Sequence, residues 1–173
     1  MSTTIDQVEG PPESYPSISP AVSAAVWQRL ESYVAYRWSP RAVIWTVEGP
    51  GEFVPPLAPA VVSKIEIWTD GAWLDITANA PDASPRGGYW LTGCGPYKFT
   101  ASVGDGMTLP AIVAEAAQRL AAYMAAKPGT AGVRSERIEA GSISISRTRS
   151  ESWMAAAIQN SGAADLLRSY RRV

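Results

Sequence analysis

"IEIWTDGAWLDI", residues 65–76, sets two runs of β-branched and aromatic residues on either side of Asp70-Gly71. Asp-Gly between such runs is the strongest short-range hairpin signal, because a tight two-residue turn needs positive φ at both central positions. The spacing predicts a hairpin with Ile65, Ile67, Leu74 and Ile76 on its buried side, although Trp68 and Trp73 blur the alternation. The same period-two texture extends in both directions. "RAVIWTVEG" (41–49), "VVSKIEIWTD" (61–70), "AWLDITAN" (72–79), "GYWLTG" (88–93) and "YKFTASVG" (97–104) are short and separated by Gly, Pro, Asp and Asn. They read as strands, which makes residues 41–106 a β-rich region.

Beyond this region the period changes. In "SPAVSAAVWQRLESYVAYRW" (19–38), Val22, Val26, Leu30, Tyr33 and Val34 recur at helical spacing. Ser19 is placed to cap this helix, Pro20 to open it and Pro40 to end it. In "LPAIVAEAAQRLAAYMAAKPG" (109–129), Ile112, Val113, Ala116, Leu120, Tyr123 and Met124 form one stripe between Pro110 and Pro128-Gly129. Leu30, Tyr33, Ile112, Leu120 and Tyr123 are therefore the expected helix-helix core. Next come "VRSERIEAGSISISRTRSES" (133–152), strand-like, and two short helical segments broken at Gly162, the second running from Ala163 to Val173. Residues 1–20 hold four prolines and no period, and read as an extended proline-rich arm. The expected fold class is α+β: a small helical bundle with a β-rich insertion between its first and second main helices.

Composition narrows the function classes. Hydrophobic residues make up 46% and charged residues 18% of the 173, a globular rather than a disordered balance. The net charge of −1 gives no overall electrostatic drive toward polyanions. Its distribution is uneven: residues 1–133 hold 8 Lys/Arg against 12 Asp/Glu, net −4, and residues 134–173 hold 7 against 4, net +3. All seven cations of the basic end are arginine, the residue suited to bidentate carboxylate or phosphate contacts. Cys94 is the single cysteine, so neither an intramolecular disulfide nor a thiol zinc cluster is expected, consistent with a reducing cytoplasm. The start lacks a signal-peptide pattern, and no apolar run reaches the roughly 18 residues of a membrane span.

The chain has no histidine. That removes the commonest general base, the serine-histidine triads and nearly all transition-metal sites. "GPGEF" and "GCGP" lack the phosphate-loop ending and the dinucleotide-fingerprint spacing, and read as turns. "DGAWLD" shares only its first letters with a calcium loop. Glu31 and Glu115 are the carboxylates that a small hydrolase would need, but exposed helix faces carry such residues routinely. No catalytic residue, metal or cofactor is expected. The seven tryptophans fit a core and a subunit interface better than a base-stacking surface.

In their order, the motifs "ESYVAYRWSPRAVIWT" (31–46), "PPLAPAVVSKIEIWTDG" (55–71), "GPYKFTASVGDGMTLPAIVAEAAQRLAAYM" (95–124), "AGVRSERIEAGSISIS" (131–146) and "LLRSYRRV" (166–173) resemble the head-tail connector (adaptor) proteins of tailed bacteriophages. Each motif alone is unspecific; together they cover residues 21–173. The resemblance implies a non-enzymatic virion subunit that folds in the bacterial host cytoplasm. It also implies a ring, commonly of twelve copies, with a bore for transient contact with DNA. One face meets the portal and the other the next neck or tail protein, the stopper. Many members have a further acidic N-terminal helix where this chain has its proline-rich arm.

Within that resemblance, Arg134, Arg137, Ile138, Ile143, Ile145 and Arg147 belong to a strand completed by the adjacent subunit, since a lone strand leaves an open edge. The helices of residues 150–173 dock on the portal through Leu166, Leu167, Arg168, Tyr170, Arg171 and Arg172, an apolar anchor ringed by cations. The competing reading from the charge distribution is a nucleic-acid-binding module that uses the arginine-rich C-terminal region.

Overall fold

The computed structural model describes residues 2–126 and 153–171, together with the backbone of 135–140 and 143–148. The chain divides into two compact units: Met1–Pro16 with Val34–Thr108, and Ser17–Tyr33 with Leu109–Val173.

The first unit is built from sheet. Strands β1 (Thr3–Glu9), β2 (Arg41–Glu48), β4 (Ala60–Thr69), β5 (Ala72–Asp75) and β8 (Tyr97–Val103) form an antiparallel sheet in the order β1-β2-β8-β4-β5. Strands β3 (Gly51–Phe53), β6 (Asp82–Ala83) and β7 (Tyr89–Leu91) form a second, ordered β3-β7-β6. Alternation explains the long strands. On β2, Arg41, Val43, Trp45 and Val47 are buried while Ala42, Ile44 and Glu48 are exposed; on β8, Tyr97, Phe99, Ala101 and Val103 are buried. The register puts Trp45 opposite Phe99, and Phe99 opposite Ile65 on β4, so one row of large side chains crosses the sheet. The small sheet covers this row: Phe53 lies 4.5 Å from Phe99 between ring centroids, Tyr89 lies 5.3 Å from Phe99, and Leu91 is buried in the same cluster.

The β4–β5 hairpin turns where Asp70-Gly71 predicts. Thr69 pairs with Ala72, and Asp70 and Gly71 have φ of 50° and 80°, the pair of positive values a two-residue turn demands. The predicted buried side holds only in part: Ile65 is buried, Ile67 and Ile76 are half-buried, but Leu74 is 55% exposed. β5 is an edge strand with nothing beyond it in the sheet order, so a residue can share the inner face without being covered. Gly88 precedes β7 where backbones nearly touch: a Cβ there would lie 2.0 Å from the Phe53 carbonyl oxygen.

The second unit contains α1 (Ala24–Tyr33), α2 (Ala111–Ala125), α3 (Ala157–Asn160), α4 (Ala163–Leu166), a 3-10 turn at Arg168–Tyr170, and a hairpin of β9 (Ser135–Ala140) and β10 (Ile143–Thr148). Leu30, Leu120 and Leu167 are fully buried, with Trp27, Val113, Ala116 and Ala117.

The expected small helical bundle with a β-rich insertion is therefore corrected. Sheet is the main body, with eight strands in two antiparallel sheets in the first unit and four helices of 4 to 15 residues among the described residues. The reason lies in where the large side chains go. Trp45, Phe53, Tyr97 and Phe99 give the sheet unit a core of its own, whereas α1 is shorter than its apolar pattern suggests. It begins at Ala24 rather than after Ser19 and ends at Tyr33, seven residues before Pro40; Val34 and Trp38 are buried residues of the sheet unit.

Three further expectations change. Ile112 is 43% exposed, not core: α2 buries Val113, Ala116, Ala117, Leu120 and Ala121, an i, i+3, i+4, i+7, i+8 phase that leaves Ile112 one position off the stripe. Residues 1–20, expected to lack a strand, carry β1. The helix expected from Ala163 to Val173 is one turn of α helix followed by the 3-10 turn.

Candidate interaction surfaces

In the second unit the C-terminal segment is pinned to both long helices. Arg29 on α1 donates from Nη2 to the Met154 carbonyl at 2.5 Å. Tyr123 on α2 packs on Trp153 with centroids 5.7 Å apart and donates from its hydroxyl to the Trp153 carbonyl. Asn160 Nδ2 donates to the same hydroxyl at 3.1 Å, and the Arg171 guanidinium lies over the Tyr33 ring, 4.7 Å from its centroid. An open cleft of about 270 Å³ results, lined by Tyr33, Gln159, Asp165, Arg168 and Arg171 among others.

The residues expected to meet the portal separate here. Leu167 is fully buried inside the unit, so it belongs to its core and not to a free surface. Leu166 and Tyr170 are half-buried, and Arg168 and Arg171 are exposed. Arg168 reaches Asp165 at 3.5 Å with both side chains at least 80% exposed, a pair that contributes little on its own. Arg172 lies outside the described residues. Of the expected helix-helix core, Leu30 and Leu120 are buried, and Tyr33 and Tyr123 are half-buried with the polar roles just given.

The segment expected to be one strand awaiting a neighbour folds back on itself. β9 and β10 pair antiparallel, with Ile138 opposite Ile145, Ala140 opposite Ile143 and Glu136 opposite Arg147; Arg137 stands opposite Ser146. Among the described residues this hairpin is a sheet of its own. Arg134 lies outside the described residues.

In the first unit, an ion-pair socket joins β1 to the sheet. Arg37 donates to Glu9 in a fork, Nε to Oε2 and Nη2 to Oε1, both at 2.9 Å, and Arg41 approaches the same carboxylate at 3.6 Å. Both arginine side chains are less than 10% exposed. Burial pushes the Glu9 carboxyl up, but the hydrogen bond and charge of Arg37, with Arg41 and Gln7 assisting, outweigh it and hold the group below the usual carboxylate value. Two residues before, Gln7 accepts the Trp45 indole N–H at 2.8 Å. Nothing in the local sequence pairs Glu9 with Arg37, 28 residues on. The β-branched residues of "TTIDQVE" were the available signal for β1, masked by the prolines that follow.

The outer face of the large sheet carries a second charged group. Glu66 accepts from Lys64 at 2.8 Å and from Lys98 at 2.7 Å, and these bonds lower its pKa, Lys64 first. Lys98 also lies 4.4 Å from the Trp73 ring centroid, and Trp73 packs edge-on against the exposed Trp68.

As for catalysis, Glu31 is buried and Glu115 is paired with Arg119 at 2.7 Å, one turn along α2. Cys94 is exposed, and among the described residues no three His, Cys, Asp or Glu side chains are placed to hold a metal ion. No described helix is long and apolar enough to cross a membrane. Comparison of the chain with family models, curated proteins and solved structures gives no match.

Proposed function

We propose that the chain is a structural subunit of a tailed phage or phage-like particle, a head-tail adaptor whose copies form a ring beneath the portal and pass DNA through its bore. The reading starts from the resemblance of the ordered motifs over residues 21–173. The observation that carries it is the β9–β10 hairpin. Two-stranded hairpins are marginal in water, and among the described residues β9 and β10 pair only with each other. A neighbouring copy that packs on this hairpin would supply what a lone hairpin lacks, and a head-to-tail ring repeats the contact without leaving an open end. Arg168 and Arg171, exposed beside the half-buried Leu166 and Tyr170, are the proposed portal-facing group.

Electron microscopy of the purified chain, alone and mixed with portal rings, tests both halves. Rings and co-sedimentation with the portal are the expected results. A chain that stays monomeric and ignores the portal sinks the reading, and one that instead binds short duplex DNA belongs to the nucleic-acid-binding class. Removing residues 163–173 would also remove the buried Leu167. The cleaner probe is the pair Arg168→Glu and Arg171→Glu, expected to abolish portal binding in a chain that remains folded.

A further inference from the structure

β1 is held in an unusual way. Six of its seven residues are exposed, so apolar burial contributes little to its attachment. Its hold on the sheet is the backbone ladder to β2, from Thr3 opposite Glu48 to Glu9 opposite Val43, together with the fork from Arg37 to Glu9 and the bond from Trp45 to Gln7. Beyond the strand, Gly10 donates to the Ala42 carbonyl and Glu13 to the Pro40 carbonyl. The whole stretch from Thr3 to Glu13 thus lies along one edge. In sequence it is cut off from the rest of its unit, because Ser17–Tyr33 belong to the other unit and the sheet resumes only at Val34.

We propose that this stretch is an exchangeable strand: in an assembly of copies, β1 of one chain lies on β2 of another, with its Glu9 in the second chain's Arg37–Arg41 socket. Every bond that holds the strand within its own chain is available, with the same partners, on a second copy. The choice between the two is then set by the connection and by local concentration. The ten residues between Glu13 and Ala24, positions 14–23, reach up to about 33 Å when extended. Pro16 and Pro20 restrict that connection, which turns at Pro20, where the Val22 N–H donates to the Ser19 carbonyl. A tethered strand faces its own sheet at an effective concentration in the millimolar range, so exchange is suppressed in dilute monomer and competes once copies are held side by side.

The socket also fixes which strand is accepted. A strand without the carboxylate forgoes the fork from Arg37 and the approach of Arg41. The favoured strand therefore ends in an acidic residue, two positions after a residue able to accept from Trp45. The inference relies on the adaptor reading only in needing a second copy nearby; co-refolding supplies one without any portal.

The test uses the full chain with Cys94→Ser. One sample carries Thr3→Cys, a second Glu48→Cys, and a third both changes; positions 3 and 48 are opposed in register and both are exposed. The two single variants are refolded together at roughly millimolar concentration and oxidised. A disulfide between position 3 of one chain and position 48 of the other, seen by mass spectrometry, is the expected product. If the double variant closes its disulfide only within one chain while the mixture gives no link between chains, the strand does not exchange. If even the double variant fails to close, β1 does not sit on β2 and the proposal falls with it.

Discussion

Phe99 is the residue on which the sheet unit should depend most. It is fully buried at the centre of β8, the middle strand of five, with Trp45 opposite on one side and Ile65 on the other. Phe53 and Tyr89 from the small sheet lie 4.5 and 5.3 Å away between centroids. Phe99→Ala removes the ring that both sheets touch. Large-to-small changes of this kind cost about 3–5 kcal/mol, of which each lost aromatic pair contributes about 0.5–1.5 kcal/mol. A domain's whole stability is about 5–15 kcal/mol, so the variant should sit near the edge of folding. Phe99→Leu keeps most of the volume and should cost less than about 2 kcal/mol. The assay is hydrogen exchange read on β2 and β8 peptides, which reports the sheet unit separately from the helical one. A loss below about 1 kcal/mol for Phe99→Ala would mean that the small sheet does not close on this ring. Equal losses for the Leu and Ala variants would mean that filling the volume is not what matters.

On α2, Leu120→Ala should cost about 2–5 kcal/mol, and Ile112→Ala, off the buried stripe, less than about 0.5 kcal/mol; urea titration of both orders the two, and equal effects would contradict the assigned helix face. Glu9 has a folded pKa below its ordinary 4.5, so its contribution is fully present above pH 4.5 and fades as the pH falls through the lower folded value. The stability gap between the wild type and Glu9→Gln, measured by urea titration at pH 6 and again at pH 3, should narrow at the acid end. Gly88→Ala should cost about 1–3 kcal/mol, because its Cβ would meet the Phe53 backbone, whereas Gly71→Ala meets nothing within 4 Å and should show only the roughly 1–2 kcal/mol penalty of a left-handed residue. Thermal melting of the two variants separates overlap from strain.

Much of the sheet unit is legible in the sequence because its signals are local. Asp70-Gly71 specifies a turn by φ alone, and β2 and β8 alternate cleanly enough that their buried rows can be read off directly. What misled was the assumption that apolar residues at helical spacing all belong to one helix. Val34 continues the stripe of Val26 and Leu30 and is buried, yet it lies past the end of α1, in the unit that holds the sheets. Spacing reports that a residue wants burial and not which element carries it. Ile112 shows the reverse limit: an apolar residue beside the stripe does not always join it, and the buried phase of Ala116, Ala117, Leu120 and Ala121 takes in Val113 and leaves Ile112 out.

The candidate surfaces were less legible, for a physical reason that differs at each. The "RIEAGSISISR" stretch carries enough alternation to be read as strand, but one strand of eleven residues and two of six have the same period. Only the pairing of β9 with β10 shows that the second holds. At the C-terminus, Leu166, Leu167 and Tyr170 share one side of an ideal helix. α4 ends at Leu166 and the chain tightens into a 3-10 turn, which rotates successive side chains by about 120° rather than 100° and splits the stripe, with Leu167 inside and Arg168 out. The Glu9 socket has no local signature. Its parts lie in "TTIDQVE" and "AYRWSPR", and only the antiparallel register of β1 on β2 brings the carboxylate to Arg37 and Arg41. A contact of this kind is visible to sequence only once the strand order is known, and here residues 17–33 of the other unit lie in the chain between the first strand of the order and the second. That separation in the chain hides the socket from local reading, and it is the same feature that leaves the strand free to be supplied by a second copy.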